Sequence, residues 1–80
     1  MMDTPRDVLN ELKWHSSRSL ERAEIFYVHR GAPDDYKIIE GSDIKDLGRS
    51  FITLTDSKIP YHRIFQIVYD GEVIFSRERS

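Results

Sequence analysis

Apolar and polar positions alternate with a period of two along much of this chain, and the clearest instance is the stretch 59–77, IPYHRIFQIVYDGEVIFSR. Residues 64–69 are β-branched and aromatic, 72–75 repeat the pattern, and Asp70-Gly71 between them supplies the positive-φ pair of a type I′ hairpin loop. With that loop Tyr69 faces Glu72. Counting back sets Ile64 opposite Arg77, with His62 one strand period away on the same face. Both faces of the hairpin carry apolar residues: Phe65, Ile67 and Ile74 on one, Ile64, Val68, Val73 and Phe75 on the other. Alternation alone therefore does not decide which face is buried.

A second strand is predicted over 23–30, AEIFYVHR, with Ile25, Tyr27 and His29 on one face and Phe26, Val28 and Arg30 on the other. The amino-terminal stretch changes period. Thr4 can cap, Pro5 suits a first helical position, Asp7 sits three residues after the cap, and Val8, Leu9 and Leu12 form an apolar stripe at helical spacing. This helix is expected to end around 14–17, with Trp14 as a core anchor, and 18–22 reads as a polar connection. Gly31-Ala32-Pro33-Asp34-Asp35 is turn chemistry, followed by a short strand over 36–40. Ser42 is expected to cap one helical turn through Ile44 and Leu47, stopped by Gly48, and 50–55 reads as a further strand. The sum is an α+β fold in a single domain spanning 1–80. One amino-terminal helix packs on a mainly antiparallel sheet of about five strands that ends in a carboxy-terminal β-hairpin.

Composition narrows the function classes. A chain of 80 residues buries roughly 60% of its unfolded surface, so the core is modest. With 39% apolar residues and no cysteine, the chain carries no disulfide, thiolate metal site or thiol redox centre, and a cytoplasmic location is expected. The apolar runs fall far short of the ~20 residues that cross a bilayer, and MMDTPRDV lacks the apolar core of a secretory signal, so no membrane partner is expected. A net charge of −2 argues against coating nucleic acid through bulk electrostatics. Any nucleic acid must be gripped locally.

The residues suited to a local grip are two copies of one dipeptide, His29-Arg30 before Gly31 and His62-Arg63 after Pro60-Tyr61. A guanidinium offers a planar fork of donors that matches phosphate, and an imidazole donates a hydrogen bond or moves a proton near neutral pH. Gly31 adds backbone that a ligand can approach, Tyr27 and Tyr61 are candidates to stack on a base, and Arg77 is a third cation. A single such pair at a strand end usually marks a solvated edge or a partner for nearby acids, here Asp34, Asp35 or Glu78. Recurrence of the pair, together with Arg77, favours a site.

Other chemistries have less support. His15-Ser16-Ser17 carries one copy of a His-x-Ser/Thr motif that a phosphoesterase superfamily uses twice, and His29 and His62 are each followed by Arg, so the second copy is missing. No metal site is expected: there is no HxH or HExxH spacing, and both strand-borne histidines have a cation beside them. No phosphate-cradling glycine loop and no nucleophile can be identified, which leaves no catalytic residue and no cofactor to assign.

The chain resembles a small family of archaeal proteins and eukaryotic fusion domains labelled an RNA cyclic-group end recognition domain. The resemblance runs nearly end to end. It is carried by Leu12-Lys13-Trp14, by His29-Arg30-Gly31 followed by Pro33-Asp34, by Ile59-Pro60-Tyr61-His62-Arg63-Ile64, and by Phe75-Ser76-Arg77, where the family usually has Trp in place of Phe75. The resemblance implies binding of RNA 3′ ends bearing a 2′,3′-cyclic phosphate, in RNA processing or repair, beside an RNA-processing enzyme. The resemblance carries over His29, Arg30, His62, Arg63 and Arg77; with Gly31 and Tyr61, which the residue chemistry adds, these are the ligand-binding candidates. Two rival classes stand beside a binding module: a cyclic phosphodiesterase or phosphotransferase with His62 and His29 as acid and base, and a protein-interaction domain whose strand edges pair with a partner.

Overall fold

Thr4 opens the helix through a reciprocal cap. Its hydroxyl accepts the Asp7 N–H at 3.1 Å, and Asp7 Oδ2 accepts the Thr4 N–H at 3.4 Å. The computed structural model describes residues 4–14, 17 and 19–78, so His15 and Ser16 of the His-x-Ser reading lie outside the described residues. The helix α1 (Pro5–Trp14) buries Val8, Leu9 and Leu12 along one stripe. Trp14 does not anchor the core: it is 75% exposed, because it falls off that stripe, and Lys13 Nζ sits 5.2 Å from its ring centroid.

Seven strands follow among the described residues: β1 (Ala23–Val28), β2 (Tyr36–Glu40), β3 (Asp46–Leu47), β4 (Phe51–Thr53), β5 (Lys58–Pro60), β6 (Ile64–Tyr69) and β7 (Glu72–Ser76). They form two antiparallel sheets, one ordered β2-β1-β6-β7 and the other β3-β4-β5. The α+β class, the amino-terminal helix and the carboxy-terminal hairpin are as the sequence predicts, but the strands are divided between two sheets. The two strands that periodicity misses, β3 and β5, are only two and three residues long, too short to show alternation. Residues 44–47 are not helical: a 3₁₀ turn over Gly41–Asp43 leads into β3, with Asp43 Oδ2 rather than Ser42 accepting the Glu40 N–H at 3.3 Å. β4 ends at Thr53 because the next residue enters a turn, with the Leu54 N–H donating to the Ser57 carbonyl at 2.7 Å.

The hairpin loop is as expected, with Asp70 at φ 53°, Gly71 at φ 83° and Tyr69 paired with Glu72. Beyond it the count slips. Val68 pairs Val73 but Ile67 pairs Phe75, so Ile74 is an extra residue, and the Arg77 N–H donates to the Phe65 carbonyl at 2.8 Å. Arg77 thus lies opposite Phe65, not Ile64. A second irregularity lies between β1 and β6, where Phe26 pairs Gln66 and Tyr27 pairs Ile64, leaving Phe65 as the extra residue. Each bulge turns the chain by one position. That is how Ile64 and Ile67, an odd number apart, are both fully buried.

The inner face of the larger sheet contributes Ala23, Ile25, Ile64 and Ile67 to one hydrophobic cluster with Val8, Leu9 and Leu12 of α1, Ile52 and Ile59 of the smaller sheet, and Tyr61. The outer face has none of its residues in that cluster, yet it carries Phe26, Val28, Tyr36, Ile38, Phe65 and Val73. Ile38 and Val73 are about half exposed, at 47% and 53%.

Gly41 holds the Leu20–Arg22 and Gly41–Asp43 turns together, since a Cβ at that position would overlap the Leu20 carbonyl oxygen. The neighbour is backbone and has little freedom to yield. Gly41→Ala is expected to lower stability by at least about 2 kcal/mol in urea denaturation, with Gly71→Asn, at a left-handed position with open space around it, as the mild control.

Candidate functional site

Because β1 and β6 run antiparallel, the exit of one lies beside the entrance of the other, with Tyr27 opposite Ile64. The two His-Arg pairs flank that junction. β1 stops at Val28, so His29 and Arg30 begin a loop instead of finishing a strand. The loop closes on itself: the His29 N–H donates to the Asp35 carbonyl at 2.9 Å, the Ala32 N–H to the His29 carbonyl at 3.3 Å, and the Asp35 N–H to the Ala32 carbonyl at 3.0 Å. Gly31 at φ 96° and Asp35 at φ 61° make the reversal, and buried Ala32 pins it.

His62 and Arg63 belong to a 3₁₀ turn, Tyr61–Arg63, between β5 and β6. Pro60 at φ −63° ends β5 and presets the entry to that turn. Tyr61 holds the turn from inside: its ring is buried, its hydroxyl donates to the Gly48 carbonyl at 2.7 Å, and burial, partly offset by Arg6, raises its phenol above its usual range. Arg77 holds the turn from outside. Its Nε donates to the Ile64 carbonyl at 2.8 Å and its Nη2 to the Tyr61 carbonyl at 2.9 Å, while the guanidinium carbon lies 5.7 Å from the Phe75 ring centroid. Fixed at both ends, the turn presents His62 and Arg63 to solvent.

Val28, His29, Arg30, His62 and Arg63 line one concavity of about 410 Å³, a size that suits a small ligand. A second concavity of about 330 Å³ is lined by Tyr27, His29, Lys37, Lys58 and Arg63 among others, and a third of about 190 Å³ by Val28, His62, Arg63, Phe65, Arg77 and Glu78 among others. Arg63 is common to all three. The first two carry no Asp or Glu in their linings, and among the described residues neither Arg30 nor Arg63 forms an ion pair with a carboxylate, whereas Arg22 pairs with Asp70 at 3.2 Å at the far hairpin loop. The structure thus gathers four of the seven candidates, His29, Arg30, His62 and Arg63. Gly31 makes the adjoining turn, Tyr61 offers no ring face to a base because it lies in the core, and Arg77 spends two donors on the backbone while still bordering the third concavity. Tyr27, half-buried with its phenol raised by burial, meets His29 edge to face at 6.2 Å. Among the described residues no group of three or more His, Cys, Asp or Glu is placed to hold a metal ion, and no helix is long and apolar enough to cross a membrane.

Lys37 and Lys58 are the cations that residue spacing did not single out. Lys37 is the cross-strand partner of Tyr27, so the β1–β2 register would have found it; Lys58 lies on the unexpected β5, with its ammonium 4.7 Å from the Phe51 ring centroid.

Residues 2–77 match the family model described as the MJ1316 RNA cyclic group end recognition domain. The chain belongs to that family. Similar relatives are a UPF0248 protein of Methanococcus vannielii, 35% identical over 74 residues that cover 90% of this chain and 89% of the relative, and a UPF0248 protein of Archaeoglobus fulgidus, 36% identical over 70 residues that cover 86% and 99%. UPF0248 protein MJ1316 of Methanocaldococcus jannaschii is 31% identical over 75 residues, covering 91% and 92%. No solved structure matches.

The two backbone bonds of Arg77 generate a test. Arg77→Ala is expected to cost about 1–2 kcal/mol in chemical denaturation and to speed amide exchange at Ile64, whose N–H closes the turn onto the Tyr61 carbonyl. Arg77→Lys should recover only part of the loss, because one ammonium cannot reproduce the planar two-point grip. Unchanged exchange at Ile64 in Arg77→Ala would mean the guanidinium does not hold the turn.

Proposed function

We propose that the protein is a binding module for an RNA 3′ end carrying a terminal 2′,3′-cyclic phosphate. One observation carries the reading: His29, Arg30, His62 and Arg63, from two separate stretches of the sequence, line a single concavity whose lining includes no carboxylate. Arg63 supplies charge-assisted hydrogen bonds to the phosphate oxygens, Arg30 a second cation, and His29 and His62 further donors. The family's description, which names RNA cyclic-group end recognition, supports the choice of ligand.

The test is affinity for matched oligoribonucleotides that differ only at the 3′ terminus: hydroxyl, monophosphate or 2′,3′-cyclic phosphate. The cyclic end is expected to bind tightest, and Arg63→Ala to weaken it about ten- to a hundredfold while leaving the 3′-hydroxyl affinity nearly unchanged. With two or three phosphate contacts, the slope of log affinity against log salt should be about −2 or shallower. A steeper slope with no end preference would point to a broad nucleic-acid surface instead.

The same observation favours one second reading. Two imidazoles line that one concavity, and they are the residue type that acid–base opening of the cyclic phosphate by water would use. Appearance of a linear monophosphate from a cyclic-ended oligonucleotide, lost in His62→Asn, would replace the binding-only role with catalysis.

A further inference from the structure

The outer face of the four-stranded sheet presents Phe26, Tyr36 and Phe65 as one aromatic cluster. Phe65 meets Phe26 edge to face at 6.1 Å and Tyr36 at 5.7 Å, and Phe26 lies 5.9 Å from Tyr36 in a tilted arrangement. None of the three belongs to the hydrophobic core, and each keeps part of its surface exposed. Three aromatics gathered outside the core cluster, each with part of its surface in contact with solvent, make an apolar patch of the kind that marks a binding surface. Phe65 reaches the cluster only because it is the extra residue of the β1–β6 bulge, which turns it outward between inward-facing Ile64 and the rest of β6.

The cluster is continuous with the cationic junction. Val28 lies two residues beyond Phe26 on the same face, about 7 Å along the strand, and it lines the concavity that holds both His-Arg pairs. The smaller concavity joins the two regions outright, with Phe65 on its wall together with Val28, His62 and Arg63. A cationic pocket at one end of a row of partly buried rings is an arrangement that a single strand of nucleic acid fits, with phosphate at the cations and bases against the rings.

We propose that the aromatic cluster of Phe26, Tyr36 and Phe65 is a stacking platform for the bases that precede the 3′ terminus, so that the module reads a short single-stranded tail and not the terminal phosphate alone. The inference rests on the proposed end recognition and deepens it. Selection among bases is weak on such a platform, since every base has a π-face, and duplex ends are disfavoured because their last bases are already stacked on one another.

The experiment compares a 2′,3′-cyclic mononucleotide, a tetranucleotide with a 2′,3′-cyclic phosphate, the same tetranucleotide with abasic sites at the two positions before the terminal nucleotide, and the 3′-hydroxyl tetranucleotide. Each is titrated against wild type, Phe26→Leu, Phe65→Leu and Arg63→Ala. Leucine keeps the sheet face apolar and folded while removing the ring. The cyclic tetranucleotide is expected to bind at least about tenfold more tightly than the cyclic mononucleotide, the abasic version to lose that gain, and each leucine variant to weaken the tetranucleotide about fivefold or more without affecting the mononucleotide. Equal affinity for mononucleotide and tetranucleotide, a gain that survives abasic substitution, or leucine variants that alter only the oligomeric state would overturn the platform; the last would assign the face to contact between copies. Failure of the two readings is separable. If end recognition fails, the hydroxyl and cyclic tetranucleotides bind alike while the leucine variants still weaken both. If the platform fails, Arg63→Ala still weakens the cyclic mononucleotide and the leucine variants do nothing.

Discussion

The antiparallel pairing of β1 with β6 is the constraint on which the site depends. These are the two central strands of the larger sheet, and their inner residues Ala23, Ile25, Ile64 and Ile67 are almost completely buried. Burial on that scale strongly specifies register, because a slip of one residue would exchange the core face for the solvent face along the whole strand. The register in turn brings the residue after β1 next to the residue before β6. His29-Arg30 and His62-Arg63 meet because hydrophobic burial fixes that pairing, while the loop closes on its own backbone and the turn is held to β6 by the Ile64 N–H on the Tyr61 carbonyl and by the Arg77 guanidinium on the Ile64 carbonyl.

The meeting runs against simple electrostatics. A chain with a net charge of −2 has acids enough to neutralise every cation locally, yet Arg30 and Arg63 share a concavity without an ion-paired carboxylate among the described residues. Water screens most of their repulsion because both are exposed, so the arrangement costs little in stability. An arriving anion converts that small cost into attraction. The same exposure limits each contact: no single hydrogen bond here is sheltered enough to dominate, and affinity has to come from several groups acting on one ligand.

Much of the fold is written in local chemistry. The Thr4–Asp7 cap, the Asp70-Gly71 loop and the strand bounds of β2 and β6 follow from residue type at fixed spacing. The candidate site is legible for a different reason, since His29-Arg30 and His62-Arg63 stand out as repeated chemistry whether or not their geometry is known. What spacing does not carry is the pair of bulges. They displace Arg77 from Ile64 to Phe65 and send Phe65 to the outer face, and each depends on how a strand accommodates its neighbour, not on its own sequence. Tyr61 shows the same limit from another side. By composition it is a fine stacking residue, but the 3₁₀ turn that exposes His62 and Arg63 also points Tyr61 into the core. Lys58 was hidden because its short strand runs from polar Asp56-Ser57 into Pro60, with no alternation to detect.

Size bears on why the proposed recognition falls on a face and an edge. A fold of 80 residues whose core already takes in one helix and the inner side of the larger sheet has no volume left for an enclosed ligand cavity, and its concavities are shallow and open. A shallow site discriminates poorly if it touches only a phosphate, which is common to every nucleotide. The open sheet face extends the contact without demanding more core, because rings that project from strands already fixed by burial lose little further freedom when a base stacks on them. On the proposed reading, the cations determine that an end is bound, and the rings beside them determine that the end is single-stranded.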